Sequence, residues 1–249
     1  MTLLPWPELL GVALTVLLAY SVFGLTGFGA NVVALPLLAH VLPLKFAVPM
    51  LLVLDLFTAS TLGLKNRKRI QWHEMQRLLP WLLLGMLIGV TLLSKAPESV
   101  LLGCLGTFVL AYAGWSLLSK GPPRPTSTRW ALPAGLVGGT FTALFGTGGP
   151  VYTLYLARRL ADVADLRATM GGIVFGSALV RLVLFTAGGF YSQAGLLTLA
   201  AVLVPCAFAG YLIGSRMHTR LSPQRLVQAV WLLLVVSGSS LLLRSWRGG

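Results

Sequence analysis

Two glycine-rich interruptions, each inside a long apolar stretch, constrain the fold of this chain more than any other feature. The first runs from Gly24 to Asn31, and the second runs from Leu144 to Pro150. Glycine loosens the backbone and proline removes a donor, so neither run suits a helix that faces lipid. Backbone freed at membrane depth is tolerated only where protein or a water-filled cavity surrounds it. Two such interruptions, in corresponding halves of one chain, indicate the binding site of a transporter.

Composition predicts an all-α polytopic membrane protein. The chain is 56% hydrophobic and 10% charged, with a mean hydropathy of +0.84, and apolar stretches near the length of a bilayer span recur along it. The net charge of +13 would suggest nucleic acid in a soluble protein. Here the basic residues lie between apolar segments, where they orient helices in the bilayer. We therefore expect a multi-pass protein of the cell (inner or plasma) membrane with no nucleic-acid partner.

The apolar segments divide into two groups of four. A hydrophilic stretch from Lys120 to Ser127 separates them, which predicts a first membrane repeat at 1–120, a cytoplasmic linker at 121–129 and a second membrane repeat at 130–249. Segments one and five contain the two interruptions. The eight segments lie near 7–42, 45–64, 77–94, 99–119, 130–157, 167–187, 195–215 and 224–243.

The two halves look like copies of each other. Residues 27–29 align with 146–148 at an offset of 119, and residues 80–89 align with 205–214 at an offset of 125. The second pair shares proline and two glycines at the same spacing. Small residues four apart let membrane helices approach closely, so for this pair helix packing is the favoured interpretation over a direct role in binding.

The placement of Lys and Arg tests whether the interrupted segments cross the membrane. If all eight segments cross once, the better orientation puts 10 of these residues inside and 8 outside. If segment five enters and returns on the same side, 14 lie inside and 4 outside. The positive-inside rule favours the second arrangement. By symmetry segment one should also be re-entrant, leaving three crossings per half and making the repeats inverted, as in many secondary transporters.

These residues resemble the TauE/SafE family of sulfite and organosulfonate exporters, also called the TSUP anion permeases. Each half of that family opens with a glycine-rich stretch of the form G-x-G-G-G, followed a few residues on by proline. Residues 27–31 lead to Pro36 and depart from glycine at their last two positions, whereas residues 146–150 lead to Tyr155 in place of the proline. The resemblance covers nearly the whole chain. It implies transport of sulfur-containing anions such as sulfite, sulfoacetate or thiosulfate.

The two interruptions suit the binding of an anion. A broken helix exposes backbone N–H groups, and the start of the next half-helix adds a partial positive charge. Starts near 29–31 and 148–151 would converge as a cradle for an oxyanion, with neutral side chains as further donors. The alternative is that the glycines only allow helices to cross tightly, and Pro150 removes one donor. The predicted substrate-binding residues at the breaks are Thr26, Gly27, Gly29, Asn31, Gly146, Thr147, Gly148 and Gly149.

Two ionisable residues lie within membrane segments, Asp55 in segment two and Arg181 in segment six. A charge inside the membrane is unfavourable and therefore a functional candidate. The guanidinium of Arg181 is suited to two oxygens of one anion. Asp55 is a candidate partner of Arg181 when the site is empty, or a proton carrier that couples transport to the proton gradient. The alternative is a fixed structural pair, or a side chain that reaches the interface.

Other classes of protein find less support in the sequence. It has no zinc-protease, nucleophile-elbow or phosphate-loop motif, so we expect neither an enzyme nor a cofactor, and no histidine pair has metal-ligand spacing. We predict a secondary transporter of a small, sulfur-containing anion. Alternatives are a transporter of another anion such as a carboxylate, or an integral membrane enzyme or scaffold. The particular anion, the direction, the coupling ion and the oligomeric state are not determined by the sequence.

Overall fold

The structure is a computed structural model that describes residues 5–26, 29–62, 67–118, 126–217 and 223–246. These ranges contain ten α-helices and no β-strand, as the all-α prediction requires. The helices are α1 (Trp6–Thr26), α2 (Ala30–Leu38), α3 (Leu44–Leu62), α4 (Trp72–Lys95), α5 (Glu98–Leu118), α6 (Ala131–Phe145), α7 (Gly149–Leu156), α8 (Val163–Ala187), α9 (Leu196–Met217) and α10 (Pro223–Trp246).

Segments one and five are each broken into two helices. In segment five, α6 ends before Gly146, which adopts a left-handed conformation with φ 67°, and α7 begins three residues later at Gly149. In segment one, Gly29 adopts φ 92° just before α2, while residues 27–28 lie outside the described ranges. Only glycine takes such positive φ values without strain. The glycines therefore end one helix and let the next begin, as the sequence predicts.

The half-helices are too short to cross a bilayer. At 1.5 Å per residue, α2 and α7 are about 13 and 12 Å long, against a hydrocarbon core of about 30 Å. Five helices of the described ranges are long and apolar enough to cross by themselves: α1, α4, α5, α8 and α9. The predicted eight-segment repeat and the return of segments one and five to one face go beyond these observations and stay predictions.

The helices pack into two compact units that alternate along the chain. The first unit comprises Met1–Leu54, Ala96–Lys120 and Tyr191–Gly249, and the second comprises Asp55–Lys95 and Gly121–Phe190. Each unit thus draws on both sides of the proposed linker at 121–129, of which residues 121–125 lie outside the described ranges. The division into repeats at 1–120 and 130–249 is a statement about sequence similarity and stays a prediction.

Glycines let the third segment of one half pack against the first segment of the other. In the second unit, a Cβ atom on Gly85 or on Gly139 would overlap backbone carbonyl oxygens of Leu136 and Leu82 respectively, across the α4–α6 contact. In the first unit, a Cβ atom on Gly214 of α9 would overlap the backbone of α1. This confirms that the glycines shared between 80–89 and 205–214 serve close helix packing.

Replacing Gly139 by alanine should strongly destabilise the second unit, because the new methyl group has no space between α6 and α4. Overpacking of this kind typically lowers stability by about 1–3 kcal/mol. Gly171 of α8 has open space around its missing side chain, so Gly171→Ala should be neutral or slightly stabilising, since alanine favours helices by about 0.5–1 kcal/mol over glycine. Thermal unfolding of both variants in detergent provides the measurement. Equal midpoints would contradict the packing argument.

Three loops of the second unit are joined by polar contacts. Arg69, after α3, lies 3.3 Å from the Asp162 carboxylate before α8, and the Gln71 side chain donates to Asp165 at 2.9 Å. The Nη1 atom of Arg159, after α7, donates to the carbonyl oxygen of Thr126, before α6, at 3.3 Å. Residues before α6 and after α7 are therefore neighbours, and the residues after α7 also contact the loop that leads into α4.

A second set of contacts joins loops of the first unit. Arg244 of α10 donates to the carbonyl oxygen of Ala39, after α2, at 2.5 Å. The Gln193 side chain, before α9, donates to the carbonyl oxygen of Lys45 at 3.0 Å. The amide of Leu44 donates to the Glu98 carboxylate at 2.6 Å. The loops after segments one, three, six and eight therefore meet in this unit.

Candidate functional site

The second break leaves two backbone donors free. The amides of Gly146 and Thr147 donate to the carbonyl oxygens of Thr142 and Phe141, at 2.8 and 3.3 Å. The amides of Val151 and Tyr152 both donate to the carbonyl oxygen of Gly148. Pro150 has no N–H group. Within the described ranges, the amides of residues 148 and 149 have no acceptor, so the predicted row of free donors at 148–151 is reduced to two.

A pair of buried hydroxyl groups lies beside this break. The Tyr152 hydroxyl of α7 lies 2.9 Å from Oγ1 of Thr142 in α6, and both residues are buried. The Tyr152 ring packs against Gly138 and Gly148, where an added Cβ would overlap it or the Thr142 hydroxyl. Two hydroxyl groups share one hydrogen bond, so one of their two protons remains available to a further acceptor.

Thr147 contributes another donor within the break itself. This residue is 1% exposed, and its Oγ1 atom has no hydrogen-bond partner among the described residues. A buried hydroxyl without a partner is unfavourable by about 1–3 kcal/mol. A polar ligand is one way to satisfy such a group.

Arg181 and Asp55 face each other in the second unit, as the hypothesis of a charge pair requires. The Nη2 atom of Arg181 lies 3.6 Å from Oδ2 of Asp55, an ion-pair distance that exceeds hydrogen-bond length. The Arg181 side chain is 3% exposed and that of Asp55 is 16% exposed. Nε and Nη1 of Arg181 have no hydrogen-bond partner in the described part of the chain. The guanidinium therefore keeps unused donors beside its carboxylate partner.

The Arg181 guanidinium lies in the same unit as the second break, on the helix that packs against α7. Arg181 is close enough to the Tyr152 hydroxyl to interact with it electrostatically, and Tyr152 pairs with Thr142 across the break. Helix α7 also packs on α8, where the Thr153 hydroxyl lies 3.7 Å from the sulfur of Met170. The second unit therefore holds one buried cation with its carboxylate partner, and also neutral N–H and O–H donors at the break.

The first break lies in the other unit. Gly29 precedes α2, and Asn31 is 4% exposed in the first turn of that helix. Thr26 is the last residue of α1, its side chain is not described, and Gly27 lies outside the described ranges. The convergence of both breaks on one anion joins residues of two units and stays a prediction.

Sequence reasoning missed a buried carboxylate that holds the far end of α7. Oε1 of Glu74 accepts from Nη2 of Arg159 at 2.8 Å and from Arg77 at 2.9 Å, and Oε2 accepts from the Tyr155 hydroxyl at 2.7 Å. Hydrogen bonding to Glu74 raises the pKa of Arg159 above its already high ordinary value. Glu74 precedes the predicted start of segment three at 77, so it looked like a loop residue. Tyr155 stands where the family pattern has proline.

Sequence reasoning also missed two residues with neutral hydroxyl groups, Thr142 and Tyr152. Tyr152 and Thr142 lie in an apolar segment and carry no charge signal, so no pattern singled them out. Among the described residues, no group of three or more His, Cys, Asp or Glu side chains is arranged to hold a metal ion.

Comparisons with known proteins identify the family. The profile for the sulfite exporter TauE/SafE matches residues 12–241. The "Probable inner membrane transporter protein TsaS" of Comamonas testosteroni is 29% identical over 201 residues, covering 80% of this chain and 83% of the relative. The "Probable sulfite/organosulfonate exporter TauE" of Cupriavidus necator is 27% identical, covering 67% and 64%.

More distant similarity extends to a longer protein. The "Probable membrane transporter protein MamO" of Magnetospirillum gryphiswaldense is 25% identical over 74% of this chain, which spans only 36% of that relative. No solved structure matches. Five described helices are long and apolar enough to cross a membrane, and the first of these relatives is named an inner membrane transporter. The protein is therefore a multi-pass protein of the cell membrane. The profile covers most of the sequence, and the chain therefore belongs to the TauE/SafE sulfite exporter family of membrane transporters.

Proposed function

We propose that this protein is a secondary transporter of a small sulfur-containing anion of the sulfite, organosulfonate or thiosulfate type. The observation that carries the proposal is Arg181, a buried guanidinium with two nitrogen atoms that have no partner among the described residues, on the helix that packs against α7. An ionisable side chain within the membrane marks a substrate pathway in many transporters. A relative whose name refers to sulfite and organosulfonate supports the choice of substrate.

The donor set favours an oxyanion with several acceptor oxygens. Arg181 offers a planar fork that matches two oxygens of one anion. Thr147, the Thr142–Tyr152 pair and the amides of Gly148 and Gly149 add neutral donors nearby in the same unit. By the proposed repeat symmetry, Gly29, Asn31 and Thr26 supply the corresponding donors from the first break. A carboxylate would use the same donors and is the second candidate.

The test is substrate-dependent counterflow in proteoliposomes that contain the purified protein. Sulfite, thiosulfate, sulfoacetate, sulfate and simple carboxylates form the panel, and thermal shift of the detergent-solubilised protein ranks their binding. We expect at least one sulfur oxyanion to give counterflow and to raise the unfolding temperature. If carboxylates alone are active, the second candidate replaces the first. If no compound exchanges, the transport proposal fails.

We also propose that segment five enters the membrane and returns to the same face. Eight crossings would put the loops after segments two and five on opposite faces, about 30 Å apart. The ion pair between Arg69 and Asp162 and the hydrogen bond from Arg159 to Thr126 favour one face for all three loops. In the first unit, Ala39 contacts Arg244, although eight crossings would separate the loops after segments one and eight. Three crossings per half and inverted repeats follow.

Thiol labelling tests this topology. Single cysteines at Ser127, Arg158 and Ala194, all exposed, are introduced in a background that lacks Cys104 and Cys206. With an impermeant reagent in intact cells, we expect labelling at 194 and protection at 127 and 158, because the last two lie in cytoplasmic loops. Permeabilisation should expose all three. Labelling at 158 in intact cells, with protection at 127, would restore eight crossings.

A further inference from the structure

The charges around Arg181 restrict the kind of anion that the site can carry. Asp55 and Arg181 form an ion pair between the interiors of two helices, each residue at least six positions from either end of α3 or α8. Together they carry no net charge. A charge without compensation is highly unfavourable in a medium of low dielectric constant. Adding an anion to this pair creates one negative charge in excess.

A proton on Asp55 removes that excess. An anion that uses the free donors of Arg181 lies close to the Asp55 carboxylate, which is 3.6 Å from the same guanidinium. Like charges at such distances favour protonation of one of them. Asp55 is also the more exposed member of the pair, at 16% against 3% for Arg181.

The groups around Asp55 are compatible with this role. From α8 the charged group that faces it is Arg181. From α7 the titratable group that interacts with the same guanidinium is Tyr152. On α3 itself, the hydroxyl of Thr58 donates to the carbonyl oxygen of Asp55 at 3.1 Å.

We propose that the site carries one singly charged anion together with one proton on Asp55, as a neutral load. This inference rests on the proposed anion transport and narrows its substrate to monoanions, such as hydrogen sulfite or a monosulfonate, over dianions such as sulfate. Loading Asp55 takes one proton from one side, and unloading releases it on the other. Net movement then follows the concentration and pH gradients and is independent of the membrane potential.

The experiment measures accumulation of labelled methanesulfonate and sulfite in proteoliposomes, with the potential clamped at zero by potassium and valinomycin. Coupling of one proton to one anion predicts about tenfold accumulation of methanesulfonate for each unit of pH by which the lumen is more alkaline, since one pH unit corresponds to a tenfold ratio. A potassium diffusion potential of either sign should leave that ratio unchanged. Sulfate, in the same vesicles, should accumulate less than either monoanion.

The variant Asp55→Asn tests whether Asp55 carries the coupled proton, because asparagine has no carboxylate to protonate. In this variant the ratio of accumulation with and without the pH gradient should fall to about one, because the one-proton coupling is lost. Any remaining uptake should respond to the potential. Glu8→Gln, at an exposed carboxylate near the start of α1, is the control and should keep the wild-type ratio.

The outcomes distinguish this inference from the function on which it rests. Uptake by the wild-type protein that ignores the pH gradient but follows the potential overturns proton coupling and leaves anion transport standing. Gradient-driven accumulation that persists in Asp55→Asn overturns the role of Asp55. If sulfate accumulates more than the monoanions, the restriction on charge is wrong. If neither probe enters the vesicles under any condition, the proposed transport itself fails and the inference falls with it.

Discussion

Replacing Arg181 by glutamine is expected to reduce anion counterflow at least about 100-fold, because two charge-assisted hydrogen bonds are worth about 1.5–3 kcal/mol each. Nε and Nη1 of Arg181 are buried and have no partner in the described structure. A glutamine side chain carries no charge and cannot present the same fork. Counterflow of the best substrate in the panel, normalised to the amount of reconstituted protein, provides the measurement.

Two further variants separate binding from folding. Arg181→Lys keeps the charge but loses the planar fork, so it should weaken binding and retain some transport. Arg181→Gln leaves Asp55 without its cation, and breaking a buried pair from one side is destabilising. The double variant with Asp55→Asn should recover the folding yield without recovering transport. If the double variant also transports normally, the pair is structural, and backbone and neutral donors hold the anion.

The sequence predicted the features that arise from local chemistry. Glycines that require positive φ, at 29 and 146, mark the ends of half-helices because few other residues adopt that conformation. The charges at 55 and 181 stand out because apolar residues surround them. Glycine spacing at 85 and 89 indicated a close helix contact, which the packing of α4 on α6 bears out.

The sequence could not predict which helices pack against each other. Each compact unit combines helices from both sides of the predicted linker. Sequence similarity between the two halves does not indicate that helices of one half pack with helices of the other. The hydroxyl groups of Thr142 and Tyr152 meet only because α7 packs against α6. The role of Glu74 depends on hydrogen bonds from Tyr155 and Arg159, which lie about 80 residues later in the chain. A single sequence gives no signal for these long-range partners.

The Glu74 cluster gives the second large expected effect, on stability. Glu74→Ala should lower the free energy of unfolding by about 1–3 kcal/mol, because it leaves the buried Tyr155 hydroxyl without its acceptor, whereas Arg159 and Arg77 are partly exposed. The Glu74 side chain is only 9% exposed and accepts hydrogen bonds from Tyr155, Arg159 and Arg77. Helix α7 has eight residues, too few to be stable alone, so it depends on this anchor at its end. Thermal unfolding in detergent provides the measurement.

The control for Glu74 is an ion pair of the same unit that is open to water. Asp162 and Arg69 are 57% and 53% exposed, and exposed pairs contribute about 0–1 kcal/mol. Asp162→Asn removes this charge but keeps an oxygen to cap α8, where Asp162 accepts from the amide of Ala164. Its unfolding midpoint should stay near the wild-type value, while Glu74→Gln, which still accepts from Tyr155, should fall between Asp162→Asn and Glu74→Ala. If Glu74→Ala unfolds at the same temperature as Asp162→Asn, then α7 is held by its packing on α6 and α8, and the position of the second break does not depend on Glu74.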